Sequence, residues 1–249
     1  MREQIEHFGT DPALFGIRTP AAGVRRDATL VLANSGIVHR IGANRNTVAL
    51  ARHLAGEGFD TFRFDFSGIG DGADRTDGLS WERSSPLELC AAIAAARRAS
   101  GTDRVVLYGN CGGAAKSFWA AQLDPTVRGL LLTNPPPHPA DPEFGGEVEM
   151  SSHGNLLPDG VVPDPGADLI GLLDRGVRVL FLFAENDVGE QYFHARLADR
   201  VGPYLADERL TVARIPTTNH TLASEASRTR LLTQAERWMM THFGETRGD

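Results

Sequence analysis

Three side chains that could perform nucleophilic catalysis each follow a predicted strand. Cys111 lies in the motif G-N-C-G-G at residues 109–113, between an apolar β-branched run and a helical segment rich in small residues. This strand–turn–helix context is typical of a nucleophile elbow, G-x-Nu-x-G, with cysteine where serine usually stands. Glycines at both ends let strand and helix approach closely, and the sharp turn exposes the central side chain. The pattern predicts Cys111 as a nucleophile and the Gly112 N–H as the first oxyanion donor.

A glycine-rich turn of this kind admits other interpretations. Phosphate-binding loops also join a strand to a helix, but the sequence has neither a Lys-Ser/Thr ending nor a G-x-G-x-x-G motif. Cys111 as a small buried residue in a tight turn remains an alternative. The second cysteine, Cys90, lies among apolar residues of a predicted helix and is interpreted as a structural thiol.

An acid and a base follow two later strands. Asp187 comes after the apolar run at residues 180–183, and His220 comes after the run at 212–215. Parallel sheets bind ligands beyond the carboxyl ends of their strands, so both side chains are expected to meet Cys111 there. Glu185 competes with Asp187. Asp187 is preferred because it lies farther into the loop, with a plain turn residue as the other interpretation.

Composition bounds the class of protein. The 249 residues, 41% hydrophobic and 23% charged, suffice for one large domain, predicted to span residues 1–249. A net charge of −7 argues against nucleic-acid or anionic-membrane partners. The charged N-terminal segment does not resemble a signal peptide, and no apolar run is long enough to span a bilayer. Two cysteines are too few for a disulfide framework, which predicts a cytoplasmic location.

Apolar runs alternate with helical patterns, which indicates a mostly parallel sheet covered on both faces. Two short N-terminal segments are predicted to be antiparallel edge strands. The residues S-P-L-E at 85–88 resemble a capping box and predict a helix that begins at Ser85 and ends at Gly101. The other predicted helices cover 44–58, 113–123 and 225–243, and the predicted strands cover 29–33, 61–66, 105–108, 127–133, 177–183 and 208–215.

Residues 134–165 interrupt this alternation. They hold eight of the fourteen prolines of the chain. Long irregular insertions in compact domains are usually functional, so the segment is predicted to be a short Pro-rich lid over Cys111, with a plain surface loop as the alternative.

The sequence resembles the α/β-hydrolases over nearly its whole length. The order nucleophile, acid, histidine matches that family. The resemblance is carried by the segments 34–42 (NSGIVHRIG), 63–71 (RFDFSGIGD), 109–113, Asp187 and 219–221 (NHT). More narrowly, the chain is similar to serine-aminopeptidase-like hydrolases, a group that includes exosortase-associated and biosynthetic-cluster hydrolases. The resemblance implies the α/β-hydrolase fold, with an eight-stranded, mostly parallel sheet and helices on both faces.

The resemblance also implies further site residues. The family has His-Gly after its third strand, where this chain has Ser35-Gly36, so the Ile37 N–H is the implied second oxyanion donor. Gly36 and Asn110 are the adjoining candidates for substrate binding. His39 and Arg40 follow the oxyanion turn and could bind a substrate carboxylate or phosphate, or form a structural salt link. The D-F-S-G-I-G turn at 65–70 is interpreted as scaffold.

The departure from the family is cysteine in place of serine. A thiolate is the stronger nucleophile, and a histidine or a helix N-terminus can stabilise it, so a working cysteine is predicted rather than an inactive one. An acyl-cysteine is itself a thioester and retains the activation of a thioester donor. The prediction is an acyl-transfer enzyme, a thioesterase or an acyltransferase/cyclase, on an acyl group carried by coenzyme A or an acyl-carrier protein.

Two other functions stay open at this point. The first is hydrolysis of a carboxyl ester or lactone, as in enzymes of the dienelactone-hydrolase type, which can also carry a cysteine elbow. The second is a non-catalytic binding protein on a hydrolase scaffold. No cofactor and no metal are expected, and the acidic net charge offers no attractive field for an acidic carrier protein. The oligomeric state stays open.

Overall fold

Eight strands form one sheet in the computed structural model, which describes residues 2–9, 14–138, 141–144 and 164–248. The strands are β1 (Gln4–His7), β2 (Phe15–Thr19), β3 (Thr29–Leu32), β4 (Asp60–Phe64), β5 (Val105–Asn110), β6 (Val127–Thr133), β7 (Arg178–Ala184) and β8 (Leu210–Ile215). Their order across the sheet is β1-β2-β4-β3-β5-β6-β7-β8. The first two are antiparallel edge strands, and the other six run parallel. Because the six are parallel, their carboxyl ends meet at one edge of the sheet.

Helices cover both faces of this sheet. They are α1 (Asn46–Gly56), α2 (Trp81–Ser100), α3 (Gly112–Leu123), α4 (Pro165–Asp174), α5 (Val188–Tyr192), α6 (Ala198–Ala206) and α7 (Glu225–Phe243). Successive strand residues point to opposite faces and enter two separate apolar clusters. Val31 and Leu107 pack with α2, α3 and α4, whereas Leu30 and Val106 pack with α1 and α7. The eight-stranded, mostly parallel sheet with helices on both faces is confirmed.

The predicted start of the second long helix is wrong. The helix α2 begins at Trp81, so Ser85 and Pro86 lie inside it. The Glu88 carboxylate accepts a hydrogen bond from the backbone N–H of Ser67 (2.9 Å) and thereby ties the helix to the loop after β4. The extra turn is stabilised by Trp81, whose ring packs edge-on against Phe66. The predicted end is confirmed, with Gly101 in the left-handed conformation (φ 71°).

Most of the predicted lid lies outside the described residues. Of residues 134–165, the structure describes 134–138, 141–144 and 164–165. Residues 135–137 run along a pocket beside the first turns of α3, and Pro165 begins α4 on the same pocket. No helix among the described residues is both long enough and apolar enough to cross a membrane.

Candidate active site

Cys111 occupies a sharp turn between β5 and α3. Its backbone has φ 53° and ψ −125°, a conformation that costs a non-glycine residue about 1–3 kcal/mol. A Cβ on Gly109 would clash with the backbone of Gly113, and a Cβ on Gly113 would clash with the carbonyl of Asn34. Any larger residue at either position would clash with the backbone, so glycine is required at both, as the motif predicts.

Hydrogen bonds fix this turn on both sides. The Cys111 N–H donates to the carbonyl of Thr133 at the end of β6 (2.9 Å), and the Cys111 carbonyl accepts from Ala114 N–H (2.8 Å). The thiol is partly buried and lies at the N-terminus of a twelve-residue helix. Both the fixed geometry and the helix dipole favour a thiolate at this position.

His220 and Asp187 meet at the carboxyl edge of the sheet. Nδ1 of His220 lies 2.6 Å from Oδ2 of Asp187. The other carboxylate oxygen of Asp187 accepts the Gly189 N–H (2.9 Å), because Asp187 caps the N-terminus of α5. The Cys111 thiol acts on the same ring, because it is one of the groups that raise the pKa of His220. The structure thus brings the three predicted side chains together, with Asp187 hydrogen-bonded to His220 and Cys111 within range to interact with the ring.

Glu185, the competing acid, contacts a backbone group and not the His220 ring. Its carboxylate is exposed and accepts the backbone N–H of Thr217 (2.7 Å). It joins the loop after β7 to the loop after β8. Of the two acids, Asp187 is the one that contacts the His220 ring.

The electrostatics of the site favour an ion pair between sulfur and imidazole. Burial and the Asp187 charge raise the pKa of the Cys111 thiol, but His220 and the Gly112 N–H lower it by more, so the net shift is downward. The hydrogen bonds of His220 to Asp187 and then to Cys111 raise the pKa of His220 to about 10. Cys90 differs, because burial raises its pKa to about 11. Cys111 is therefore the more readily ionised of the two thiols.

The predicted oxyanion turn lies against the elbow. Residues 35–38 form a turn closed by the Val38 N–H and the Ser35 carbonyl (2.9 Å), with Gly36 at φ 54°. The backbone N of Gly36 lies 3.4 Å from the position that a Cβ on Gly112 would take. The turn that carries Ile37 therefore adjoins the Gly112 N–H, and the donor role of Ile37 stays a prediction.

Arg40 and His39 form the structural link that the sequence left open. The Arg40 guanidinium pairs with Asp65 and with Asp71 (2.7 Å) and is 13% exposed. His39 lies 3.3 Å from Asp71. Asp65 also accepts hydrogen bonds from Asn34 and from the backbone of Arg40. This network holds the oxyanion turn on the D-F-S-G-I-G scaffold turn.

Three side chains of the same network, His39, Asp65 and Asp71, are of types that bind metal ions. Ligand atoms of His39, Asp65 and Asp71 lie within 4.8 Å of one another. The guanidinium of Arg40 already pairs with both carboxylates, so a cation there would have to displace it. The donor set therefore fits a structural ion-pair network better than a metal centre.

Asn110 directly precedes Cys111 at the end of β5. It lines a small crevice together with Asn46 and Thr221, next to the loop that carries His220. Asn46 donates its side-chain amide to the carbonyls of Thr221 (3.2 Å) and Leu222 (3.1 Å). The substrate-binding role of Asn110 stays a prediction, as does that of Gly36.

The sequence interpretation missed two residues at the site. Asn134, directly after β6, is fully buried and joins the loops that carry Asp187 and His220. Lys116, on α3, is 7% exposed, and its ammonium lies 3.9 Å from the centre of the Trp81 ring and 3.4 Å from the Gly112 carbonyl. The available signal for Asn134 was a polar residue at a strand end, the same signal that singled out Asp187.

Comparisons with known proteins agree with this architecture. Residues 30–151 match the sequence profile of the α/β-hydrolase fold family. None of the curated proteins matches the chain.

Three similar solved structures come from different organisms. The α/β serine hydrolase XC6422 from Xanthomonas campestris, described as having no lid, is 18% identical, with a TM-score of 0.58 over 95% of this chain and 94% of that one. Dienelactone hydrolase from Anabaena variabilis is 16% identical, with a TM-score of 0.64 over 98% and 100%. The α/β-hydrolase GrgF from Penicillium is 13% identical, with a TM-score of 0.65 over 98% and 100%. The chain therefore has the α/β-hydrolase fold, and residues 30–151 carry the sequence features of that family.

Proposed function

We propose that this chain is an acyl-transfer enzyme with a Cys111-His220-Asp187 triad that forms a covalent acyl-thioester on Cys111. The observation that carries the proposal is the His220–Asp187 hydrogen bond (2.6 Å) beside Cys111, which lies in a strained turn at the N-terminus of α3. The shifts in pKa support it, because they make Cys111 nucleophilic and keep a proton on His220. An inactive cysteine would not need this arrangement.

In the first half-reaction the Cys111 thiolate attacks the carbonyl carbon of a thioester donor. A bond forms between Sγ and that carbon, and the carbonyl oxygen becomes an oxyanion. The N–H groups of Gly112 and Ile37 are the proposed donors to it. When the intermediate collapses, the bond to the leaving sulfur breaks and His220 gives its proton to the departing thiolate. The acyl group is then a thioester of Cys111, and His220 is neutral.

In the second half-reaction an acceptor with an N–H or O–H group attacks the acyl-cysteine. Neutral His220 takes the acceptor's proton as the new bond forms. The bond to Sγ breaks, and the thiolate–imidazolium pair returns. Asp187 holds the ring of His220 in one orientation and stabilises its protonated form throughout. Water as acceptor gives a thioesterase, and an alcohol or amine gives a transferase or cyclase.

The proposed class of acyl donor follows from the use of a cysteine, and not a serine, as the nucleophile. A thioester donor and an acyl-cysteine are close in free energy, so the first half-reaction is nearly balanced and the acyl group stays activated. We therefore propose coenzyme A or carrier-bound acyl groups as donors. The net charge of −7 offers no general attraction for an acidic carrier protein, which favours the smaller donor. A thiolate nucleophile also suits a reducing compartment such as the cytoplasm.

A second candidate is hydrolysis of a small carboxyl ester or lactone. The likeness in fold to the dienelactone hydrolase from Anabaena variabilis favours it, although the identity is 16%. A third candidate is a binding protein without catalytic activity. The lowered pKa of Cys111 beside His220 argues against it, because a binding protein does not need an activated thiol.

Intact-protein mass spectrometry tests the proposal directly. The chain is incubated with acetyl and hexanoyl thioesters of N-acetylcysteamine and, in parallel, with p-nitrophenyl esters of the same acids. We expect an adduct of the acyl mass on Cys111 that forms faster from the thioesters and is absent in Cys111→Ala. Faster acylation by the esters would favour the ester hydrolase. No adduct and no turnover with either series, together with equally slow alkylation of Cys111 and Cys90, would favour the binding protein.

A further inference from the structure

An apolar pocket of about 650 Å³, its open mouth included, lies between α3, α4 and the segment after β6. Its described lining holds a set of aromatic side chains, with leucines and prolines between them. The aromatic members are Phe118, Trp119, Phe181, Phe183, Tyr192 and Phe193.

The walls of this pocket adjoin each member of the triad. Ala115 lines it and donates its backbone N–H to the Cys111 carbonyl (3.3 Å). Gly189 lines it and donates to the Asp187 carboxylate (2.9 Å). Pro135 lines it and directly follows Asn134, which holds the His220 carbonyl. The pocket therefore begins within a few residues of the elbow and of both loops that carry the acid and the base.

The chemistry of the lining is uniform. No Asp, Glu, Lys or Arg belongs to the part of the lining that the structure describes. Its polar members are His138, whose pKa burial lowers, and Tyr192, whose pKa burial raises, so both are neutral near pH 7. A carboxylate in the pocket would lose its hydration without gaining a counter-charge, whereas an apolar chain would gain from burial.

We infer that this pocket holds the acyl group of the substrate and selects an uncharged apolar acyl chain, linear or aromatic, over acetyl and over dicarboxylic half-esters. This inference rests on the proposed function, because it needs an acyl group on Cys111. The donor and acceptor then approach from the solvent side of the elbow.

A series of acyl thioesters of N-acetylcysteamine tests the selectivity. The acetyl, hexanoyl, phenylacetyl and succinyl compounds differ in size and charge, and kcat/KM for acylation of Cys111 is measured for each. We expect hexanoyl and phenylacetyl to react at least about tenfold faster than acetyl, since each buried methylene favours binding. Succinyl should be slowest, because its carboxylate has no partner in the pocket.

Variants then locate the selectivity in the pocket. Ala115 is partly exposed and faces the open volume, so Ala115→Leu fills it without displacing the core. The ratio of hexanoyl to acetyl should fall toward one in this variant. Ala167→Leu, on the exposed face of α4, adds the same atoms outside the pocket and should keep the wild-type ratio. Phe118→Ala enlarges the pocket and should raise the rate for phenylacetyl relative to hexanoyl.

A second probe separates this inference from the proposed function. Chloroacetamide and N-hexylchloroacetamide alkylate a thiolate without any acyl transfer. In one outcome no thioester acylates Cys111, but the hexyl probe still alkylates it about tenfold faster than chloroacetamide does, and Ala115→Leu removes that preference. The pocket inference is then supported and the proposed function is contradicted. If Cys111 is acylated but the ratios are near one and unchanged in Ala115→Leu, the pocket inference is overturned and the proposed function stands.

Discussion

The side-chain amide of Asn134 donates a hydrogen bond to the backbone carbonyl of His220 (2.7 Å), and its oxygen accepts the backbone N–H of Ala184 (2.6 Å). Ala184 in turn accepts the N–H of Asp187 (3.1 Å). One fully buried side chain thus ties the loop of the base to the loop of the acid. Its strained backbone, with φ 45°, is maintained by these contacts.

Removing the Asn134 side chain should loosen the triad. Asn134→Gly tolerates the positive φ, whereas Asn134→Ala adds strain, and both leave two buried polar groups without their partner at a cost of about 1–3 kcal/mol in the free energy of unfolding. We expect kcat to fall roughly 10- to 100-fold in both variants with little change in KM. The pH at which Cys111 becomes reactive toward iodoacetamide should also rise.

The two variants separate positioning from stability. Asn134→Ala should unfold at lower urea concentration than Asn134→Gly, while both lose activity alike. A wild-type pH profile of Cys111 alkylation in a folded Asn134→Gly would contradict the positioning role.

The pH dependence follows from the two shifted groups. The pKa of Cys111 is lowered, so its thiolate should persist below the ordinary pKa of a thiol. The pKa of His220 is raised to about 10, so the protonated ring that serves the leaving group is lost as the pH rises through about 10. Acylation should therefore show a plateau that begins above the lowered pKa of Cys111 and ends near pH 10. The stabilisation from protonated His220 is complete below pH 6.5, so in urea unfolding it should decline as the pH rises from 6.5 and be lost above about 10.

Cys90 provides the internal control for this profile. Burial raises its pKa to about 11, so it should stay unlabelled by iodoacetamide at pH 7 while Cys111 takes up one equivalent. Peptide mapping after labelling distinguishes the two thiols. Equal labelling of both at neutral pH would contradict the ion pair at Cys111.

Asp187 and Glu185 should differ sharply when each loses its charge. Asp187→Asn removes the carboxylate that contacts Nδ1 of His220, so the ring loses its orientation and its raised pKa. Turnover should fall by orders of magnitude, up to about 10⁴-fold by comparison with serine triads. Glu185→Gln removes an exposed charge and keeps an amide oxygen for the Thr217 N–H, so it should retain most activity.

Kinetics of the two variants at one pH decide the assignment. Circular dichroism verifies that both are folded. A loss of activity in Glu185→Gln with Asp187→Asn near wild type would reverse the roles of the two acids.

Local patterns account for what the sequence predicts well. Apolar runs and small-residue helices mark the parallel strands and their crossovers, and the glycine spacing marks the turn at Cys111, because each depends on neighbouring residues. Asp187 and His220 could be located because each follows a strand that ends at the same sheet edge. Asn134 also follows a strand end, but its partners are backbone atoms of two distant loops, so the residue pattern alone could not reveal its role.

Tertiary contacts also explain the other two differences between prediction and structure, which are the start of α2 and the burial of Lys116. The start of α2 depends on the packing of Trp81 against Phe66, and on Glu88 being engaged by a distant loop. Both contacts are tertiary, so the local capping signal at Ser85 could not reveal them. Lys116 lies in a mostly apolar helix, and its contacts with the Trp81 ring and the Gly112 carbonyl stabilise the buried ammonium.

Replacing the nucleophile distinguishes transfer from simple hydrolysis. Cys111→Ala should abolish turnover and adduct formation while leaving the fold intact, since the change is small and local. Cys111→Ser retains a nucleophile, because neutral His220 can activate a hydroxyl as it does in serine enzymes.

The difference lies in the second half-reaction of Cys111→Ser. An oxyester is less activated than a thioester toward amines and alcohols, so an enzyme built for transfer from thioesters should accumulate acyl-serine or turn over slowly. An enzyme built for ester hydrolysis should keep substantial activity. Intact mass against time, with hexanoyl thioester and p-nitrophenyl hexanoate in parallel, records both outcomes. Rapid turnover of the ester by Cys111→Ser, with no trapped adduct, would favour the ester hydrolase, and unchanged activity in Cys111→Ala would refute covalent catalysis at this thiol.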